Sequence, residues 1–201
     1  MSFTGSFGFV LTPNQSLANE AIHQARLWHK ARLESPREAE YKVTTAHLTL
    51  FHANVHDVPE DFVQETLDAL AAIVDQPLNF DAIEPYGGKF LFWHARRSQM
   101  LNLAHLAALH LSRYLDSQVP AQAVTERLPL SAEELENLAV FGHPLVRSRF
   151  LPHITLAYAS QGTGFYRTSC PFKGCVATVS FAQIGEHGRV LEHVMCPTGA
   201  D

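Results

Sequence analysis

Two stretches of the chain alternate apolar and polar residues as a half-buried strand does, and they are nearly the same stretch. Residues 44–51 read TTAHLTLF and residues 151–158 read LPHITLAY. Successive side chains of a β-strand point to opposite faces. His47 and Thr49 therefore share one face, with Leu48 and Leu50 on the other. His153 and Thr155 stand the same way against Ile154 and Leu156. Each stretch predicts a strand with one aliphatic side and one side carrying an imidazole and a hydroxyl. A third such triplet, His110-Leu111-Ser112, falls in a helical pattern, where residues two apart do not face each other.

The remaining pattern places elements around these two strands. Residues 7–11 read as a strand stopped by Thr12-Pro13-Asn14. Ser16 is then the expected N-cap of a helix over 17–33, with Ala18, Ile22 and Ala25 as its buried stripe. The first motif strand is expected over 42–53. A second helix runs from Asp57-Val58-Pro59 to about residue 74, with Val63, Leu67, Leu70 and Val74 on its apolar face. Strands over 78–83 and 89–94 are joined by a turn at 85–88, and a third helix is expected over 98–115. Ser131-Ala132-Glu133-Glu134 reads as a capping box opening a short helix to residue 141. The second motif strand follows over 153–159, then a loop over 162–171. Last come strands over 176–184 and 189–196 around a turn at 185–188. Strands interspersed with helices in this order predict an α+β fold, a sheet covered by helices.

Composition narrows the function. The 201 residues suit one domain, or one domain of two similar lobes, with 46% hydrophobic residues for its core. The formal net charge of −5 argues against a protein that coats long duplex nucleic acid, but not against one that grips a single phosphate or a short RNA end. Basic residues do flank the motifs: Lys42 before the first, Arg147 and Arg149 before the second. Three cysteines, an odd and low count, suggest reduced thiols and a cytoplasmic location. The N-terminus has no signal-peptide pattern, and no apolar run is long enough to span a bilayer. A monomer without a membrane partner is expected.

Two imidazoles on neighbouring strands, which lie about 4.8 Å apart, can straddle a phosphate. Histidine titrates near neutrality, so a neutral ring can activate water while a protonated ring protonates the leaving alkoxide. The threonine hydroxyls supply short neutral donors to the non-bridging oxygens as charge develops. No cofactor or metal is required, and no carboxylate cluster suited to magnesium is visible. Phe9, Tyr86 and Trp93 offer candidate stacking faces for a base.

With these residues in place, the paired H-[LI]-T-L tetrapeptides, and above all FLPHITLA over 150–157, resemble the motifs of the two-histidine (2H) phosphoesterases. That family includes bacterial RNA 2′,3′-cyclic phosphodiesterases, also called 2′-5′ RNA ligases, and plant-type cyclic phosphodiesterases. The resemblance implies a bilobal fold with a pseudo-twofold axis. Two antiparallel sheets would line a central cleft, helices would cover the outer faces, and each lobe would contribute one motif strand. It also implies a metal-independent phosphodiesterase with His47, Thr49, His153 and Thr155 as its catalytic groups, His153 as base and His47 as acid. The substrate would be a small nucleotide or an RNA end, and Arg149 is a candidate phosphate contact of the kind that the resemblance implies near the second motif. The chain departs from the family pattern in a long insertion over 116–150 and in the loop after the second motif, both of which can reshape the cleft.

Two other readings compete. Cys170, Cys175, His187 and His193 come close to the spacing of a two-Cys two-His zinc site, although the intervening residues alternate like strands where a zinc finger needs a helix. A nucleotide-binding module of the same fold without turnover is the other. His52 and His56, four apart at a strand end, read as surface.

Overall fold

The computed structural model describes residues 1–32, 46–118, 129–158 and 166–198. Lys42 and the expected beginning of the first motif strand lie outside these residues. Among the described residues there are seven strands: β1 (Ser2–Pro13), β2 (Leu48–Pro59), β3 (Pro77–Tyr86), β4 (Phe90–Ala95), β5 (His153–Tyr158), β6 (Thr168–Ile184) and β7 (Val190–Met195). The α-helices are α1 (Gln15–Arg32), α2 (Glu60–Leu70), α3 (Gln99–Ala108) and α4 (Ala132–Phe141). Among the described residues no helix is long and apolar enough to cross a membrane.

The strands run in the order β2-β1-β6-β3-β4-β5, every pairing antiparallel, with β7 on a second edge of β6. The order is symmetric about the β6–β3 pair, which matches β1 with β4 and β2 with β5. This is the two-lobed α+β arrangement the resemblance implies, with the lobes joined by one shared strand. β6 serves both sheets: residues 168–175 pair with β3 and residues 176–183 with β1. Its first eight residues correct the expected loop over 162–171, since Cys170 and Pro171 are already in the strand. A strand that changes partners halfway lacks one alternation from end to end, which hides its first half in the sequence.

Local signals explain most helix boundaries. α2 carries Glu60 and Asp61 in its first turn, where the helix dipole favours negative charge. α3 is capped by the Ser98 hydroxyl, which accepts from the Leu101 amide, and it tightens after Ala108 into a 3₁₀ segment, Leu109–Tyr114. The α4 capping box forms as expected, and Gly142 ends that helix at φ 69°. α1 differs: Asn14, not Ser16, caps it, its side-chain oxygen accepting from the Leu17 amide.

α1 packs on β5, β6 and β1, and α2 and α3 pack on β2. Leu17, Val63 and Leu101 from these helices share one core with Phe9, Leu48, Leu50, Ile154 and Leu156. Val10, Ala182 and Ile184 form a separate small cluster on the opposite sheet face. The motif side chains lie on that second face.

Candidate active site

Strand register decides what the motif face carries. Thr49 lies opposite Val10, and Phe51 lies opposite Phe9, so Leu50 has no partner on β1. This is a β-bulge, two residues against one. Beyond it the alternation shifts by one, and His52 comes opposite Gly8, on the same face as Val10 and Thr49. The motif face of β2 therefore carries His47, Thr49 and His52. A Cβ at Gly8 would stand 2.5 Å from both the His52 Cβ and the Phe51 carbonyl oxygen, so only glycine leaves room. The expectation that His52 is surface is corrected: alternation alone turns it away, and the bulge turns it back. His56, farther along, is exposed as expected.

The second lobe repeats this device. His153 lies opposite His94 and Thr155 opposite Phe92; Leu156 is left over, and Tyr158 lies opposite Phe90. Both motifs thus present His, Thr and a third side chain, His52 in one lobe and Tyr158 in the other. β2 and β5, at opposite ends of the strand order, lie in contact.

His153 is packed ring to ring on Phe92, centroids 3.6 Å apart and 21° from parallel, and Phe92 stacks in turn on Tyr86 at 5.1 Å. Nδ1–H of His153 donates to the Leu151 carbonyl at 2.6 Å. Burial, reinforced by the positive charge that His94, His47 and His52 can carry, pushes its pKa down to about 3 against the pull of that carbonyl. His153 is accordingly neutral near pH 7, with its lone pair on Nε2. His47 is anchored differently: Nε2–H donates to the Gly188 carbonyl at 2.9 Å. Gly188 belongs to the turn between β6 and β7, where His187 and Gly188 adopt φ of 58° and 76°. His187 stacks on Tyr158 at 3.6 Å, so this one turn touches the motif strands of both lobes.

Further imidazoles gather here. Burial, with help from His47, lowers the pKa of His52 to about 4. His143 meets His52 edge to face at 4.8 Å, and burial followed by the charges of His52, His153 and His105 holds it well below its ordinary value. His94 is lowered by burial as well. Among the described residues two buried side-chain nitrogens have no hydrogen-bond partner, His52 Nδ1 and His94 Nε2, and both stand on the motif faces.

The expected stacking residues divide. Phe9 and Trp93 are fully buried. Phe9 packs on Phe181, while Trp93 packs on Phe80 and donates its Nε1–H to the Cys170 carbonyl. Each sits one position out of phase with the motif face, where β4 presents Phe90 and Phe92 instead. Tyr86 does border the site, and its hydroxyl donates to Glu134 at 3.4 Å. Arg149 is 3.3 Å from the same carboxylate. Burial alone would raise Glu134, but the Ser131 hydroxyl and amide, with Arg149, hold it below its ordinary value.

The zinc reading fails on distance. Cys170 and Cys175 lie five residues apart on β6, roughly 16 Å at a strand's rise per residue. His193 is opposite Ala182, farther along, with its Nδ1 2.7 Å from the Ser180 hydroxyl. Among the described residues no group of three His, Cys, Asp or Glu side chains is placed to hold a metal ion.

No protein-family model matches the sequence, and no curated protein matches it significantly. Solved structures do share its fold. The protein TT0787 of Thermus thermophilus aligns with a TM-score of 0.55 at 16% identity, covering 93% of this chain and 95% of that one. A protein described as a phosphoesterase aligns with a TM-score of 0.53 at 14% identity, covering 97% and 99%.

Proposed function

We propose that the protein hydrolyses phosphoester bonds, and specifically a 2′,3′-cyclic phosphate or a 2′-5′ phosphodiester at an RNA end or in a small nucleotide, without a metal. The observation that carries this is the doubled motif: two His-x-Thr strands, each with a bulge immediately after the threonine, on the two end strands that meet. The solved phosphoesterase of the same fold supports the reaction class.

His153 acts as base. Its neutral ring has Nδ1–H occupied by Leu151 and Nε2 available to take a proton from water. The water oxygen attacks phosphorus and gives its proton to His153, a P–O bond to the ribose breaks, and His47, entering the reaction protonated with Nε2–H held by Gly188, passes its Nδ1 proton to the departing alkoxide. Thr49 and Thr155 donate to the non-bridging oxygens as the pentacovalent state forms. The product is a phosphomonoester. Phe92 backs the His153 ring, Tyr86 stacks on Phe92, and Arg149 stands by for an outer phosphate.

The test is a panel in EDTA: a 2′,3′-cyclic nucleotide, a 2′-5′-linked dinucleotide, a cyclic phosphate of ADP-ribose and a 3′,5′-cyclic nucleotide. Turnover of at least one, abolished in His47→Ala and in His153→Ala, is the expected result. Activity that EDTA removes and zinc restores refutes the two-histidine mechanism. Tight nucleotide binding with no turnover makes the protein a binding module.

A further inference from the structure

A single buried imidazole on α3 bonds the first motif strand to the segment that leads into the second. His105, on the buried face of α3 with Leu101, Ala104 and Ala108, is 1% exposed. Its Nδ1 is 2.7 Å from the Leu50 carbonyl oxygen and its Nε2 is 2.9 Å from the Arg147 amide. We propose that His105 is a positioning residue for the reaction, holding the bulge of the first motif and the approach to the second motif in one fixed geometry. This rests on the hydrolytic reading above.

The chemistry of the two contacts is specific. Leu50 is the extra residue of the first bulge, next to Thr49 and two before His52. A bulged residue drops out of the ladder, and a buried carbonyl there needs a donor from elsewhere. His105 Nδ1–H supplies it. On the other edge of the ring, Nε2 accepts from Arg147 N–H. One nitrogen donating and the other accepting is the neutral imidazole in a single tautomer. Burial, together with the Arg97 guanidinium, lowers its proton affinity against the pull of the Leu50 carbonyl, which keeps it in that state. An aliphatic residue, which this apolar helix face otherwise calls for, would leave both backbone groups unpaired.

The far side of the bridge is equally determined. Arg147 is at φ 55°, a left-handed conformation that a non-glycine residue keeps only where its surroundings hold it. Arg97 grips the same segment, its Nη2 donating to the Arg147 carbonyl and its Nη1 to the Ser148 carbonyl. Phe150, three residues before His153, lies flat on the His105 ring at 4.0 Å and 6°. The imidazole therefore sets the bulge that aims Thr49 and His52, and it also sets the start of the segment that delivers His153.

Three proteins test this: wild type, His105→Leu, which keeps bulk and removes both bonds, and His105→Gln, whose amide can donate and accept. Displacement of a catalytic group by about 1 Å costs on the order of a hundredfold in rate. The expected result is a kcat lowered about a hundredfold in the Leu variant with KM within threefold, and most of the loss recovered in the Gln variant. Independently of activity, nitrogen NMR of the wild type should show the His105 ring neutral and protonated on Nδ1 at pH 7. A folded Leu variant with kcat within threefold of wild type overturns the proposal. So does a folded Gln variant without activity, or an Nε2–H or doubly protonated ring. If the Leu variant does not fold, the Gln variant and the tautomer decide. If wild type turns over no phosphodiester, the hydrolytic reading fails and the NMR result still judges the bridge.

Discussion

Acid should unfold this protein far from any carboxylate titration, because imidazoles are kept neutral inside it. His153 titrates near 3 and His52 near 4 in the folded state, chiefly through burial. In the unfolded chain both return to about 6.5. A base whose folded pKa is depressed contributes its full stability above the unfolded pKa, and loses it as pH falls towards the folded value. Between pH 7.5 and 5 the unfolded chain takes up a proton at each site while the native state takes up almost none. That costs about 2 kcal/mol per histidine, or about 4 kcal/mol for the pair. His94, His105 and His143 are lowered too and add in the same direction. Against a total stability of about 5–15 kcal/mol for a typical domain, this is a large fraction. Urea unfolding at pH 7.5, 6 and 5 measures it, and a variant carrying His52→Gln and His153→Gln should lose about 4 kcal/mol of that pH dependence, with the share of His94, His105 and His143 remaining. A urea midpoint unchanged from pH 7.5 to 5, or a double variant as acid-sensitive as wild type, would refute the claim that these rings are held neutral.

Further outcomes are expected. Thr49→Val and Thr155→Val should each lower turnover about a hundred- to a thousandfold with little change in the urea midpoint, as loss of one oxyanion donor does. Leu48→Ala and Ile154→Ala, at fully buried positions, should lose about 2–5 kcal/mol of stability while the folded fraction stays active; the reverse pattern would mean the faces are assigned backwards. Gly8→Ala places a methyl 2.5 Å from His52 and the Phe51 carbonyl, so it should cost about 1–3 kcal/mol in thermal or urea unfolding and lower kcat by pushing β2 away from β1. Cys170→Ser with Cys175→Ser should fold with an unchanged urea midpoint and bind no stoichiometric zinc, since both thiols are free and far apart.

What the sequence by itself determined is local. Period-two alternation around His47-Leu48-Thr49 and His153-Ile154-Thr155 was enough to separate their core and motif faces, because that period needs no partner strand. The capping box of Ser131 and Glu134 was equally legible, because donor and acceptor lie within three residues of each other. Tertiary structure decided everything that depends on which strand lies alongside. A bulge is a property of two strands together, so the return of His52 to the motif face could not be read from β2 alone; nor could the placing of Phe92 rather than Trp93 beside the motif, which the pairing of β4 with β5 decides. In the sequence His105 is one residue in a helical stretch of mostly apolar ones. Only the folded chain brings the Leu50 carbonyl and the Arg147 amide to its two nitrogens, from segments about a hundred residues apart, and so gives that buried imidazole a reason to be there.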